Sequence, residues 1–283
     1  MTEKLKVHSP YDGHLIKEID LDDEASIEEA LATAHRLEQK KPLPTPERIA
    51  ILNKTADLVE AKAEEFARQS AEEGGKPLID SQIELARAVQ GIREAANSIG
   101  QLTGHEIPMN LTTSSMNRMA FTTREPVGVV AAVSAFNHPF NLIVHQVIPG
   151  VAVGCPVIVK PALITPLSCL NLVNCLYEAG LPKEWVQVAI CENSLAEKIV
   201  TDPRVSFLTF IGSGKVGWSL RSKLAPGARC ALEHGGAAPV IVEADADIDD
   251  ALPLLAKGGF YHAGQVCVSV QRVFVHEDIV EEF

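Results

Sequence analysis

Between residues 45 and 66, apolar residues recur at spacings of three and four: Ile49, Leu52, Ala56, Val59, Ala63 and Phe66. This spacing predicts an amphipathic helix, with Thr45 as cap, Pro46 at the first helical position and Gly74-Gly75 as its end. A second amphipathic run covers about residues 79–100. Two β-like stretches flank the polar Asn110–Asn117 segment within Glu106–Glu125, which reads as a hairpin. From Val127 the texture changes to short Val/Ile-rich runs alternating with helical segments: VGVVAAVSA, CPVIVKPA, VQVAICE, VSFLTFIGS and RCALEHGG. Unbroken apolar runs fit strands buried on both faces, and their alternation with helices implies right-handed crossovers and a parallel sheet. A further strand and helix follow in PVIVEADADIDDAL, and another strand comes after GQVC.

The expected fold is therefore α/β: a doubly wound, Rossmann-like parallel sheet with an N-terminal helical region, a β-hairpin arm and the start of a second α/β unit. The expected divisions are 1–105 (helical), 106–125 (hairpin), 126–236 (Rossmann-like) and 237–283. Ligands of doubly wound sheets bind beyond the carboxyl ends of the strands, which directs attention to Asn137, Lys160-Pro161, Gly212-Ser213 and Glu233.

Composition narrows the function. The 283 residues are 46% hydrophobic, with 25 Lys plus Arg against 37 Asp plus Glu, a formal net charge of −12. This excludes a disordered chain and makes nucleic acid and anionic membranes unexpected partners. The first ten residues, MTEKLKVHSP, contain no apolar signal core, and no stretch reaches the ~20 apolar residues of a membrane span, so a cytoplasmic protein is expected. The six cysteines, at 155, 169, 175, 191, 230 and 267, form neither a CxxC nor a Cys/His zinc pattern. No metal site is expected, and all six read as free thiols, five of them in apolar packing segments.

Taken alone, the polar candidates leave two readings open. Cys267, after a Gly264-Gln265 turn, fits either a cleft-facing nucleophile or a buried structural cysteine; Asn137 fits an oxyanion donor or a helix cap; Glu233 fits a general base or a solvated strand end. Gly212-Ser213 reads as a phosphate-binding turn or an ordinary loop, and no GxGxxG is present.

In order, AFNHPF (135–140), IVKPA (158–162), FIGSGKVG (210–217) with ALEHGG (231–236), and GQVCVS (264–269) resemble the motifs of the NAD(P)-dependent aldehyde dehydrogenases. The resemblance runs from about Thr45 to the last residue. It implies Cys267 as nucleophile, Asn137 and the Cys267 backbone N–H as oxyanion donors, and Glu233 as the base that activates water against the thioester. It also implies a cofactor edge of Val133, Ser134, Phe136, Lys160, Pro161, Ala162, Leu163, Gly212, Ser213, Val216, Gly217, His234 and Gly235. Phe140, Asn141, His145 and Val266 are expected at the aldehyde tunnel, and the substrate is expected to be a small aldehyde.

Departures from the family pattern matter. His234 replaces a usual Leu, and Ala237 replaces Lys or Asn. Leu163 stands where NAD-preferring relatives often carry Glu, which removes a repulsion against a 2′-phosphate and leaves NAD and NADP both open. The E-x-F-G-P segment that follows the cysteine in the family is absent, so the expectation is a truncated catalytic domain, with homo-oligomers through the 106–125 hairpin in a full-length form. Two alternatives remain: an inactive dinucleotide-binding or subunit-associating fragment, and a thioester enzyme that passes the acyl group to coenzyme A.

Overall fold

The computed structural model describes residues 3–283. The chain opens with a hairpin of β1 (Lys4–His8) and β2 (Leu15–Asp20), followed by α1 (Glu24–Glu38), α2 (Thr45–Ala61), α3 (Ala63–Gly74) and α4 (Leu78–Ser98). A second small hairpin pairs β3 (Glu106–Ile107) with β4 (Ala120–Phe121). The main sheet then forms from β5 (Val129–Val133), α5 (Asn141–Val153), β6 (Val157–Lys160), α6 (Leu167–Ala179), β7 (Val186–Val188), α7 (Asn193–Thr201), β8 (Val205–Gly212), α8 (Gly214–Arg221) and β9 (Arg229–His234). Last come β10 (Val240–Val242), α9 (Ile248–Phe260) and β11 (Val273–Val275), with β10 and β11 paired in parallel.

Within the main sheet the strand order is β7-β6-β5-β8-β9, and every neighbouring pair is parallel. The chain steps from β5 through β6 to β7 on one side, then crosses to β8 and β9 on the other, so the order reverses between β5 and β8. Alternate side chains divide between two apolar layers, as the two-residue strand period requires. Val130, Ala132, Val157 and Val159 join a core with α2 to α6, whereas Val129, Ala131, Ile158 and Leu208 join one with α1, α7 and residues of α8. These layers are the expected doubly wound architecture.

Three local readings need correction. The amino-terminal β1–β2 hairpin was not anticipated, although Pro10-Tyr11-Asp12-Gly13 is a turn sequence and Gly13 takes a φ of +78°. The helix expected from Thr45 to Gly74 is two helices, broken at Lys62, where φ and ψ are −105° and 12°. The apolar spacing continues through the break, so periodicity alone does not register it. Thr45 is the first helical residue and not the cap; its Oγ1 instead accepts from the Arg48 guanidinium at 2.9 Å. Gly75 does end α3, in a left-handed conformation with φ +61°, and a Cβ there would lie 2.5 Å from Pro10 Cγ.

Two buried carboxylates fix the helices that lead away from the site. Glu84 of α4 accepts from the Phe140 and Asn141 backbone N–H groups, both at 2.9 Å, and so caps α5. Glu73 of α3 accepts from Leu167 N–H and Ser168 N–H, both at 2.9 Å, and caps α6. Negative charge at a helix N-terminus satisfies the free N–H groups and complements the helix dipole. Lys76 is ion-paired with Glu84, and both side chains are buried. Burial raises the Glu73 carboxyl to about 7 despite these donors, and burial lowers the Lys76 pKa.

Candidate active site

Because the strand order reverses between β5 and β8, their carboxyl ends leave a crevice, the usual ligand position in a doubly wound sheet. Gln146 of α5 spans it: its side-chain amide donates to Val133 O and to Thr209 O, each at 3.0 Å. At the same edge, β5 register pairs Val133 with both Lys160 and Phe210, and β8 pairs Gly212 with His234. The sheet thus collects on one edge the residues expected to face a dinucleotide.

Their individual settings differ. Ser134 is buried, its N–H donates to Lys160 O at 3.0 Å, and its hydroxyl has no partner. Lys160 is also buried, which lowers its pKa, and its amine lies 3.3 Å from Asn193 Oδ1. Pro161 is buried, Ala162 and Leu163 are half-buried, and Phe136 and Val216 are exposed. Ser213 caps α8, accepting the Val216 N–H at 3.4 Å, and Gly235 is exposed beyond β9. His234 does not point away as a bystander: its ring fills the slot left by Gly217, where a Cβ would come 2.1 Å from His234 Nε2, and it meets Phe210 and Trp218 edge-on. The imidazole therefore acts as packing where the family usually has Leu.

Asn137 follows β5 and is half-buried. Its side-chain amide donates to Gln265 O at 2.7 Å, which ties the end of β5 to the loop carrying Cys267. One hydrogen of the amide is used in this bond and the other stays available to a ligand. Cys267 is exposed, whereas Cys155, Cys169, Cys175 and Cys191 are buried and Cys230 is half-buried; none forms a disulfide. Gly236 N–H donates to Cys267 O at 3.0 Å, and Gln271 N–H to Ala237 O at 3.0 Å, so the cysteine loop is also stitched to the chain just beyond Glu233. Glu233 itself is exposed at the end of β9, not in the partly desolvated setting expected from its neighbours.

Some expected tunnel residues lie elsewhere. Phe140 is fully buried and stacked on Phe66 with ring centroids 5.5 Å apart, so it belongs to the core and lines no tunnel. Asn141 is buried beneath the Glu84 cap. His145 lines a groove of about 360 Å³ with Val130, Phe207 and Arg229. Val266 is half-buried beside Cys267, in a groove of about 270 Å³ with Leu254, Tyr261 and Val268.

Sequence reasoning missed Gln146, Asn193, Asp80 and His262. The first is signalled only as a polar residue on the otherwise apolar α5, and the last as a histidine just before the GQVC turn. Asp80 and Asn193 carry no local signal, because their partners lie far away in the chain.

Comparison with known proteins shows the family to which the chain belongs. A sequence model described as the aldehyde dehydrogenase family matches residues 1–283. The 3-sulfolactaldehyde dehydrogenase of Priestia aryabhattai is 38% identical over 282 residues, covering 99% of this chain and 59% of the relative. The lactaldehyde dehydrogenase of Methanocaldococcus jannaschii is 35% identical over 288 residues, covering 99% of this chain and 60% of the relative. Among solved structures, glyceraldehyde-3-phosphate dehydrogenase GapN from Methanocaldococcus jannaschii, complexed with NADP, superposes with a TM-score of 0.93 at 33% identity, covering 100% of this chain and 61% of that one. The chain thus spans about three-fifths of the length of these relatives. On the family match and these identities, the chain belongs to the aldehyde dehydrogenase family.

Proposed function

We propose that this chain provides the nucleophile, the oxyanion donors, the base and the dinucleotide edge of an NAD(P)-dependent oxidation of an aldehyde to a carboxylic acid. The observation that carries the reading is the 2.7 Å bond from the Asn137 amide to Gln265 O, which holds a carboxamide donor against the loop of the one exposed cysteine.

The residues suit a dinucleotide. Ser134 offers a buried hydroxyl with no partner, Ser213 sits at the N-terminus of α8, and the Lys160 amine has a single neutral partner in Asn193. These groups would hold the pyrophosphate and the adenosine ribose, and a nicotinamide bound beside Cys267 would supply the hydride acceptor. No carboxylate stands at Leu163, so the edge accommodates a 2′-phosphate, and NADP is the expected cofactor alongside NAD.

In the proposed reaction the Cys267 thiolate adds to the aldehyde carbon, forming a C–S bond as the carbonyl π electrons move to oxygen. The resulting oxyanion accepts hydrogen bonds from the Asn137 amide and the Cys267 backbone N–H. When the carbon loses hydride, the oxyanion collapses to a thioester. Glu233 then takes a proton from water as its oxygen attacks that carbon, the C–S bond breaks, and the acid leaves as Cys267 regains its thiolate. The exposed position of Glu233 gives it ready access to water.

The similarity to 3-sulfolactaldehyde and lactaldehyde dehydrogenases favours a small 2-hydroxyaldehyde as substrate. Six free thiols fit a reducing, cytoplasmic compartment, and no helix among the described residues is long and apolar enough to cross a membrane. Exposed Ile107, Leu111, Met119 and Phe121 on and between β3 and β4 fit a subunit contact.

Single-turnover reduction of NADP and NAD with lactaldehyde tests the reading. Wild type is expected to form reduced cofactor, Cys267→Ser none, and Asn137→Ala about 10²–10³-fold less rapidly. Glu233→Gln is expected to complete the first turnover and then stall as the thioester. Reduction that survives Cys267→Ser overturns the proposal.

A further inference from the structure

The loop that brings Cys267 to Asn137 is not self-supporting. His262, Ala263 and Gly264 take φ values of +58°, +54° and +71°, three successive residues in the left-handed region, two of them with side chains that disfavour it. Something outside the loop must hold this conformation. Asp80, buried in the first turn of α4, accepts the His262 backbone N–H at 3.1 Å, 182 residues away in sequence. The His262 ring is itself buried, and its Nε2 is hydrogen-bonded to Asn137 O. Asn137 and the loop are therefore joined twice: by the ring on the Asn137 carbonyl, and by the Asn137 amide on the Gln265 carbonyl.

The ring's protonation follows from its partners. A carbonyl oxygen only accepts, so Nε2 carries the hydrogen; Nδ1 is buried with no partner, where a second N–H would be left unsatisfied, so Nδ1 is bare. His138 stacks on His262 at 3.8 Å between centroids and 10° between planes, which fixes the ring plane. Burial lowers both imidazoles, His138 to about 3 with His262 and then the Lys76 ammonium lowering it further; on His262 the bond to the Asn137 carbonyl is the main opposing influence, ahead of the lowering by Lys76 and the smaller raising by Glu84 and Asp80. Burial, the largest influence on each ring, thus disfavours the charged form of both.

We propose that His262, anchored by Asp80, is a positioning residue that sets the Asn137 carboxamide over the Cys267 loop through its Nε2–H bond to the Asn137 carbonyl. It touches neither substrate nor cofactor and acts only through Asn137. The inference rests on the assignment of Asn137 and Cys267 to the thiohemiacetal site, and goes beyond it by naming what keeps the two in register.

The test compares His262→Leu, which fills the space without a donor, with His262→Gln, whose side-chain N–H reaches about as far as the imidazole Nε2. In single-turnover reduction, His262→Leu is expected to slow hydride loss by about 30–100-fold, part of what losing an oxyanion donor outright costs, with the aldehyde KM within about threefold. His262→Gln should recover to within about fivefold of wild type. In an Asn137→Ala background His262→Leu should cost less than about threefold more, because groups acting through one another are not additive. Full additivity, an effect confined to KM, or a Gln variant as slow as Leu overturns the proposal. Nitrogen-15 NMR of the imidazoles provides a readout that needs no turnover: wild type should show His262 as the neutral Nε2–H tautomer, and an Nδ1–H tautomer also overturns it. If wild type reduces no cofactor, the assigned reaction has failed, and the tautomer still decides whether His262 holds Asn137.

Discussion

The end of β5 and the Cys267 loop meet at Asn137 but are built in opposite ways. Around β5 nearly everything is buried, Gln146 bridges the two strands that part, and Glu84 caps the helix that follows. From residue 237 onward, α9 has no buried residue, Phe260 is 81% exposed, and the turn before Cys267 runs through three left-handed residues. Asn137 thus stands at the end of a buried strand, whereas the Cys267 loop is anchored on α4 through Asp80 and meets Asn137 through His262 and Gln265. Precision in a site needs one over-determined side; the other can be docked to it through a few directional bonds.

The largest expected effect lies beneath the rigid side. Glu84 binds two α5 N–H groups and the buried Lys76, so Glu84→Leu leaves an ammonium and two amides unpaired. Urea unfolding should show a loss of about 3–5 kcal/mol, the usual result of breaking one half of a buried pair. A loss below ~1 kcal/mol would mean that this side is less determined than the comparison holds.

Next comes pH. His138 is pushed down to about 3, so between its unfolded value near 6.5 and that point the unfolded chain binds a proton that the native chain does not. Its contribution is therefore complete above about pH 6.5 and is lost as pH falls, by about 2 kcal/mol between pH 6.5 and 4.5. Glu73, raised to about 7, works in the opposite sense: its native form keeps a proton that the unfolded chain releases, so stability falls as pH rises from about 4.5 to 7. The two oppose each other over the same interval. The measurement is the difference between wild type and His138→Phe, whose stability should lack the acid loss from the histidine and retain the Glu73 trend.

How much of this was legible in the chain depends on how far apart the interacting residues lie. The five strands of the sheet, their order of alternation with helices and the edge carrying Val133, Lys160 and Gly212 follow from unbroken Val/Ile runs, which are local signals. The break at Lys62 was invisible because the helical period does not change across it. The short β1–β2 hairpin is a weak signal of five and six residues, and only its turn stands out. Asp80 and Glu84 read simply as polar positions on an amphipathic helix, and only the folded chain shows them facing inward. The AFNHPF and GQVCVS motifs contain Asn137, Cys267 and Gln265, but the second tie between these segments runs through His262 and Asp80, which no motif contains.

Gly217→Ala probes the seam between the sheet and α8. A Cβ there meets His234 Nε2 at 2.1 Å and Phe210 carbons at 3.0 Å, so the imidazole must move from its slot. Overpacking of this kind costs about 1–3 kcal/mol. The double variant Gly217→Ala with His234→Ala should recover most of it, and no recovery would show that the strain lies in the helix backbone instead.

The smallest effect is the sharpest check on the exposed side. Leu254 on α9 is 63% exposed, and Leu and Ala have similar helix propensities, so Leu254→Ala should change the unfolding free energy of this chain by no more than about 0.5 kcal/mol. A buried leucine costs about 2–5 kcal/mol for the same change. The loop reaches the sheet through polar bonds at His262, Gln265 and Cys267, and none of those bonds involves the apolar face of α9. A cost near 2 kcal/mol would mean that α9 does pack against the sheet in solution and that burial, as well as the Asp80–His262–Asn137 bonds, holds the Cys267 loop in place.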